Sequence, residues 1–182
     1  MTQDQGLHHT EYDSRLAAYA VVVDGDDRVL LALWNEAAEP LWTLPGGGVE
    51  LLESVEDGAV REVREETGYE VELGRLLGVD TVVVAPEERT VDRDRWFRGI
   101  RVVYEAAVVG GHLRDEVDGT TDEARWIPLA EVPRLARVDL VDIGLRLRAA
   151  ADGLREPVQV LDGNYTLAPG TCAWWDAARK HT

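Results

Sequence analysis

Apolar residues recur along this chain with two different periods, and the switches between them mark out strands and helices. Leu16–Val23 is apolar and rich in β-branched residues, Asp24-Gly25-Asp26-Asp27 is a turn signal, and Val29–Trp34 is a second apolar run. Together they predict a β-hairpin. Leu41–Leu44 is a short extended piece that stops at Pro45 and three glycines. A helix is expected next, with Ser54 as its N-cap, Asp57 three residues on, and Gly68 as its stop. Val71–Val84, with breaks at Gly74 and Gly78, reads as one long bent strand or two short ones, Pro86–Arg98 as a charged loop, and Gly99–Val109 as a strong strand ended by Gly110-Gly111. An acidic loop follows, then a short strand at Ala124–Ile127 and a short helix at Pro128–Leu135. From Asp139 to Ala151 the apolar residues Leu140, Val141, Leu145 and Leu147 fall at helical spacing. Strands interleaved with a few helices predict an α/β layered domain.

The helix after the glycines carries its carboxylates in an unusual place. On a wheel of ~100° per residue with Glu62 at zero, Glu66 falls at about 40° and Glu65 at about −60°. Val55 falls at about 20°, Ala59 at about 60° and Val63 at about 100°. These apolar residues must face the core. Glu62 and Glu66 therefore border the buried stripe, whereas Asp57, Arg61 and Arg64 fall on the polar face. Like charges four residues apart repel, and partial burial raises the cost unless a cation intervenes. With Arg61 and Arg64 on the other side, the wheel leaves that task to a bound divalent cation. Mg²⁺ takes a few carboxylates, water and phosphate oxygens. The glycines before the helix permit close backbone approach to a ligand.

Composition bounds the partners. The 182 residues suit one domain plus a tail. Acidic residues number 35 against 19 Lys and Arg, a formal charge of −16. That field repels nucleic acid duplexes and anionic membranes, and it repels a phosphate-bearing substrate unless a cation is interposed. Cys172 is the single cysteine, so no internal disulfide forms, which fits a reducing cytoplasm. There is no basic start followed by an apolar run, and no stretch long enough to span a bilayer. The expected organisation is a flexible lead over residues 1–14, a domain over 15–153, and an extension over 154–182. Trp174 and Trp175 suit the extension to packing on the domain or to a homodimer interface.

Gly47, Glu53, Arg61, Glu62, Val63, Glu65, Glu66, Gly68 and Tyr69 fill every fixed position of a pattern, Gly-x5-Glu-x7-Arg-Glu-U-x-Glu-Glu-x-Gly-U, in which U is bulky and apolar. The chain thereby resembles the Nudix hydrolases, and Trp42-Thr43-Leu44-Pro45 and Trp126-Ile127-Pro128-Leu129 resemble them too. The resemblance implies the Nudix fold, a mixed β-sheet sandwiched between α-helices. It also implies attack by water on a diphosphate held by Mg²⁺ or Mn²⁺. Carried over by position, Glu62, Glu65 and Glu66 would be metal ligands, with the Gly46 carbonyl as another. Glu53 would assist catalysis, and Arg61 would hold the glutamates in place. Two departures stand out: Leu51-Leu52, where many members have a glycine, and Gly58 inside the helix, a cost of ~1 kcal/mol relative to alanine.

The implied function is a pyrophosphohydrolase acting on a nucleoside diphosphate linked to another group, such as ADP-ribose, a nucleotide sugar or a nucleoside triphosphate. The alternative is a non-catalytic domain that senses a nucleotide, but such a domain would be expected to lose box glutamates. The general base is sought in the acidic loop Asp115–Glu123, at Glu116 or Glu123. His112, at a strand end, reads as structural. Pro86 stands near where ADP-ribose-cleaving relatives carry a proline, while the longer downstream signature of the NADH-cleaving relatives is absent.

Overall fold

The computed structural model describes residues 6–35, 39–89, 92, 94–115 and 121–153. Glu116, Cys172, Trp174, Trp175 and the extension over 154–182 lie outside the described residues.

Among the described residues seven strands form two sheets. Strand β1 (Tyr12–Val22) is flanked by β4 (Gly46–Gly48) and β6 (Trp96–Gly111), and β5 (Tyr69–Val84) completes a sheet of order β4-β1-β6-β5. Only the β1–β6 pairing is parallel, so this sheet is mixed. Strands β2 (Arg28–Trp34), β3 (Leu41–Thr43) and β7 (Thr121–Pro128) form an antiparallel sheet of order β3-β2-β7. Helix α1 (Val55–Thr67) and helix α2 (Asp139–Ala151) cover opposite faces of the mixed sheet.

β1 explains that layering. Its alternate side chains point to opposite faces. Ala17, Tyr19 and Val21 join a core with Leu140 and Val141 of α2, whereas Ala18, Ala20 and Val22 join cores with Ala59 and Val63 of α1. A strand buried on both sides reads as one continuous apolar run, as Leu16–Val22 does.

Here the structure departs from the sequence expectation. β1 and β2 are not a hairpin. They meet at one antiparallel bridge, Val23 with Val29, and then part into different sheets. The turn itself is as expected, with the Asp24 carboxylate accepting from the Asp26 and Arg28 amides at 3.0 and 2.9 Å. β1 also begins earlier than the expected domain boundary, because Tyr12–Ser14 pair with Trp96–Arg98. Trp96 and Phe97 accordingly belong to a strand rather than a loop. The expected helix at Pro128–Leu135 shrinks to one 3-10 turn at Val132–Arg134.

α1 begins and ends where its capping residues place it. The Ser54 hydroxyl accepts from the Asp57 amide at 3.0 Å, and Glu56 and Asp57 sit in the first turn, where the helix dipole favours negative charge. Gly68 ends it at φ 74°, donating to the Arg64 carbonyl at 2.9 Å. α2 is fastened at its start by Arg101, 3 % exposed, which pairs with Asp80 of β5 and with Asp139 at 3.0 Å. Among the described residues no helix is long and apolar enough to cross a membrane.

The left-handed stop of α1 gives a stability prediction. An added Cβ at Gly68 would lie 2.5 Å from the His112 carbonyl oxygen. Gly68→Ala should cost about 1–2 kcal/mol from the left-handed conformation alone, and more from the contact. A urea midpoint equal to wild type would refute this assignment of the cap.

Candidate active site

The site is assembled by a three-glycine strand and the helix that follows it. β4 pairs antiparallel with β1, Gly46 opposite Tyr19, Gly47 opposite Ala18 and Gly48 opposite Ala17. Sequence alone suggested a loop here. The strand is possible because none of its residues has a side chain to place. Gly46 has φ 138°, and a Cβ there would lie 2.6 Å from the Tyr19 Cα. At Gly47 a Cβ would lie 2.7 Å from the Glu62 carboxylate. These glycines let α1 lie so close that its acidic side chains rest on the backbone of β4.

Glu66 is 5 % exposed, and its carboxylate accepts from the Gly46 amide at 2.9 Å. Glu62 is half-buried, and burial pushes its carboxyl above the usual carboxylate range, against the opposing pull of Arg61. Glu65 is exposed. The helical wheel thus placed the acidic side chains on the correct sides.

It misplaced Arg61. Rather than facing away, Arg61 is the hub of the site. Its Nε and Nη2 donate to the two oxygens of Glu53 at 3.1 and 2.7 Å, and Nη1 donates to Glu62 at 2.9 Å and to Glu65 at 3.0 Å. Nη2 also donates to the Gly48 carbonyl at 2.9 Å. The wheel counts only angles. Arg61 lies one turn before Glu65, and its long stem carries the fork across the helix edge to the turn at Glu50–Glu53. The planar guanidinium can serve several carboxylates at once, which a lysine cannot match. The Arg61 fork in turn holds the Glu53 carboxyl below its usual range, helped by the Glu50 amide.

Gly58 supports that contact. A Cβ there would lie 3.1 Å from Glu53 Oε1 and 3.3 Å from Val49 Cγ2. Leu51 and Leu52, the departure from the family pattern, sit 97 % exposed at the turn before Glu53.

The structure therefore brings Gly46, Glu53, Arg61, Glu62, Glu65 and Glu66 together. It does not add Glu123 to that group. Glu123 lies on β7 rather than in the acidic loop, and its carboxylate is gripped by Arg125, which donates from Nε at 2.9 Å and from Nη2. Glu116 lies outside the described residues. His112 is exposed at the end of β6. The sequence reading also missed Arg15 of β1, whose guanidinium lies against Gly48. The available signal was parity: Arg15 shares a strand face with Ala17 and Tyr19.

The donors are all oxygen, as hard cations such as Mg²⁺ and Mn²⁺ prefer. Among the described residues no three acidic, histidine or cysteine side chains converge into a ready-made cage. The close approach of Glu62 to Gly47 and the buried Glu66 are the features that fit such an ion.

Comparison with known proteins places these elements in context. A sequence model described as the NUDIX domain matches residues 13–144. An ADP-ribose pyrophosphatase of Methanocaldococcus jannaschii is 37% identical over 64% of this chain and 66% of its own length. A putative 8-oxo-dGTP diphosphatase of Bacillus subtilis is 44% identical over 64% of this chain and 68% of its own. A NUDIX hydrolase structure from Nitrosomonas europaea superimposes with a TM-score of 0.62 at 23% identity, covering 84% of this chain and 98% of that one.

The raised Glu62 carboxyl gives a pH-dependent prediction. Between its ordinary and its raised value the folded state binds more protons than the unfolded, so stability falls as pH rises through that window. The group's contribution is most favourable below the ordinary value of 4.5 and is lost above the raised one. Glu62→Gln should therefore be more stable than wild type at neutral pH without divalent cation, with a difference that shrinks toward pH 4.5. Urea unfolding of both proteins from pH 4 to 8 measures the difference, and a constant or reversed one would contradict the burial argument.

Proposed function

Because this chain belongs to the NUDIX family, we propose that it is a divalent-metal-dependent pyrophosphohydrolase cleaving the phosphoanhydride of a nucleoside diphosphate linked to another group. The observation that carries this reading is the complete carboxylate nest on β4 and α1, with Glu66 buried against Gly46 and Glu62 against Gly47. A nucleotide-sensing domain without catalysis would have no use for Glu53, Glu62, Glu65 and Glu66 together with the arginine that binds three of them.

Glu62, Glu65, Glu66 and the Gly46 carbonyl would hold Mg²⁺ or Mn²⁺. When bound, such an ion neutralises phosphate charge, polarises phosphoryl oxygens and acidifies a water. Arg61 fixes Glu53 and Glu65 and ties them to the Gly48 carbonyl, so the nest keeps its shape when a highly charged substrate arrives. The substrate class is supported by the ADP-ribose and 8-oxo-dGTP activities in the relatives' names, which share a nucleoside with a diphosphate bond. ADP-ribose, nucleotide sugars and nucleoside triphosphates all meet that description.

The proton of the attacking water goes to a carboxylate. Glu53 is a poor acceptor, since its Arg61 partner favours the charged form. We assign the base to the acidic segment, at Glu116 or Glu123. The Arg125 grip on Glu123 makes Glu116 the better acceptor of the two.

Hydrolysis of a panel of nucleoside diphosphate derivatives, followed by phosphate release with a coupled phosphatase, tests the whole reading. Exhaustive chelation should abolish turnover and Mg²⁺ should restore it; activity that survives chelation would rule out the metal nest. Glu65→Gln and Glu66→Gln should each lower kcat by roughly 10²-fold or more, the scale of transition-state electrostatic groups. For the base, Glu116→Gln should lower kcat by ~10²–10⁴ and flatten the acidic limb of the pH profile, with metal affinity unchanged. If Glu116→Gln keeps full kcat while Glu123→Gln loses it, the base is Glu123. If both keep it, the base lies outside this segment.

A further inference from the structure

Strand β5 carries an exposed apolar stripe. Its pairing with β6 sets Leu76 opposite Tyr104, Val79 opposite Val102 and Val83 opposite Arg98. Residues directly opposite each other share a face of the sheet. Val102 and Tyr104 join Ala18 and Ala59 in the core beneath α1, so the three β5 residues face the α1 side. The helix shelters only the start of the strand, where Val71 is buried and Leu73 packs on the same cores. Farther along, Leu76, Val79 and Val83 are 57, 59 and 50 % exposed. β5 is also the end strand of its sheet, 16 residues long, and among the described residues no strand pairs with its outer side. A long apolar edge of this kind invites pairing with other chains, and native proteins cover it.

The chain itself returns to this edge at its last described residues. α2 lies on the other face of the sheet, and its end is tied to β5 by Arg75, the neighbour of Leu76. Arg75 donates from Nη1 to the Ala151 carbonyl at 3.0 Å and from Nη2 to the Asp152 carboxylate at 2.6 Å. Gly153, at φ 77°, follows the helix end. Residues 154–182 remain, 29 in all. Fully extended they span ~95 Å, whereas Leu76 and Val83 stand ~23 Å apart along the strand. Their sequence suits a covering role. Val158–Leu161 and Tyr165–Leu167 are β-type runs on either side of Asp162-Gly163-Asn164, a hairpin signal, and Trp174-Trp175 adds two large apolar side chains. Charge favours this occupant over a second copy of the chain. The segment holds three acidic residues, Glu156, Asp162 and Asp176, and three basic ones, Arg155, Arg179 and Lys180, so residues 1–153 carry the whole charge of −16. Two such domains repel each other, whereas a neutral segment is not repelled.

We infer that residues 154–182 fold back around the β5 edge of their own domain and seat Trp174 and Trp175 on Leu76, Val79 and Val83. The extension then completes the domain, and the stripe is closed to association between copies. This inference is independent of the reading of the carboxylate site.

Cys172, the single cysteine, stands two residues before Trp174 and reports on it in the full chain. Val79→Cys and Val83→Cys each supply a partner thiol. Arg146→Cys is the control. Arg146 is exposed on α2, across the sheet from the stripe and ~10 Å along the helix from Gly153, within easy reach of an undocked chain. Under oxidation with copper–phenanthroline, peptide mass spectrometry should find the Cys172 disulfide forming within one chain. It should form at one or both β5 positions at least roughly tenfold faster than at Arg146→Cys, the rise in effective concentration that docking gives. Dilution should not change the rate. A rate at both β5 positions no higher than at the control would overturn the inference. So would a disulfide that joins two chains and fades on dilution, which would make a second copy the occupant. Hydrogen exchange on chains without added cysteines gives a second measure. Val83→Asp should speed amide exchange over residues 158–175 by roughly tenfold and leave α1 and β1 as in wild type. Exchange in that segment unchanged by Val83→Asp would equally overturn the inference.

Discussion

One guanidinium holds the site together. Glu53, Glu62 and Glu65 would repel one another, and each is drawn instead to Arg61, which also grips the Gly48 carbonyl. That single group therefore links the first turn of the β4–α1 connection, the middle of α1 and the backbone of the glycine strand. The rest of the domain works to keep those three in place: the Ser54 and Gly68 caps fix the ends of α1, and β1 fixes the height of β4. Neutralisation by Arg61 is partial by arithmetic, since one positive charge faces three carboxylates and Glu66 is held separately. The surplus negative charge is what would favour a divalent ion there.

The parts of this arrangement that were legible in the sequence are those set by near neighbours. The ends of α1 follow from Ser54 and Gly68, and the burial of Glu66 follows from its angle relative to Ala59 and Val63. What local pattern could not reveal is pairing at a distance. Tyr12 pairs with Trp96, and β1 leaves β2 after one bridge because both edges of β1 are taken, by β4 and β6. Three consecutive glycines carry no hydrophobic signal, so β4 reads as a loop although it is a strand. Arg61 failed for a different reason. A wheel records the direction in which a side chain leaves the helix, not how far it travels, and arginine travels furthest.

The extent of family likeness and the geometry agree. The NUDIX match over residues 13–144 begins at the second residue of β1 and ends within α2, so it takes in both sheets and the helix α1 between β4 and β5. The Methanocaldococcus jannaschii and Bacillus subtilis relatives are matched over about two thirds of their own length.

Gly58 carries a consequence for how this protein can be improved or can evolve. Replacing an internal helical glycine by alanine ordinarily stabilises a protein by ~1 kcal/mol, and it is among the first changes a consensus or thermostability screen would select. Here the new methyl group would press on the Glu53 oxygen that Arg61 holds, at 3.1 Å. The gain from alanine at this position is therefore set against a shift of the Glu53 carboxylate. A heat-adapted descendant of this chain would gain more simply at exposed positions of α1 such as Arg64, away from Glu53.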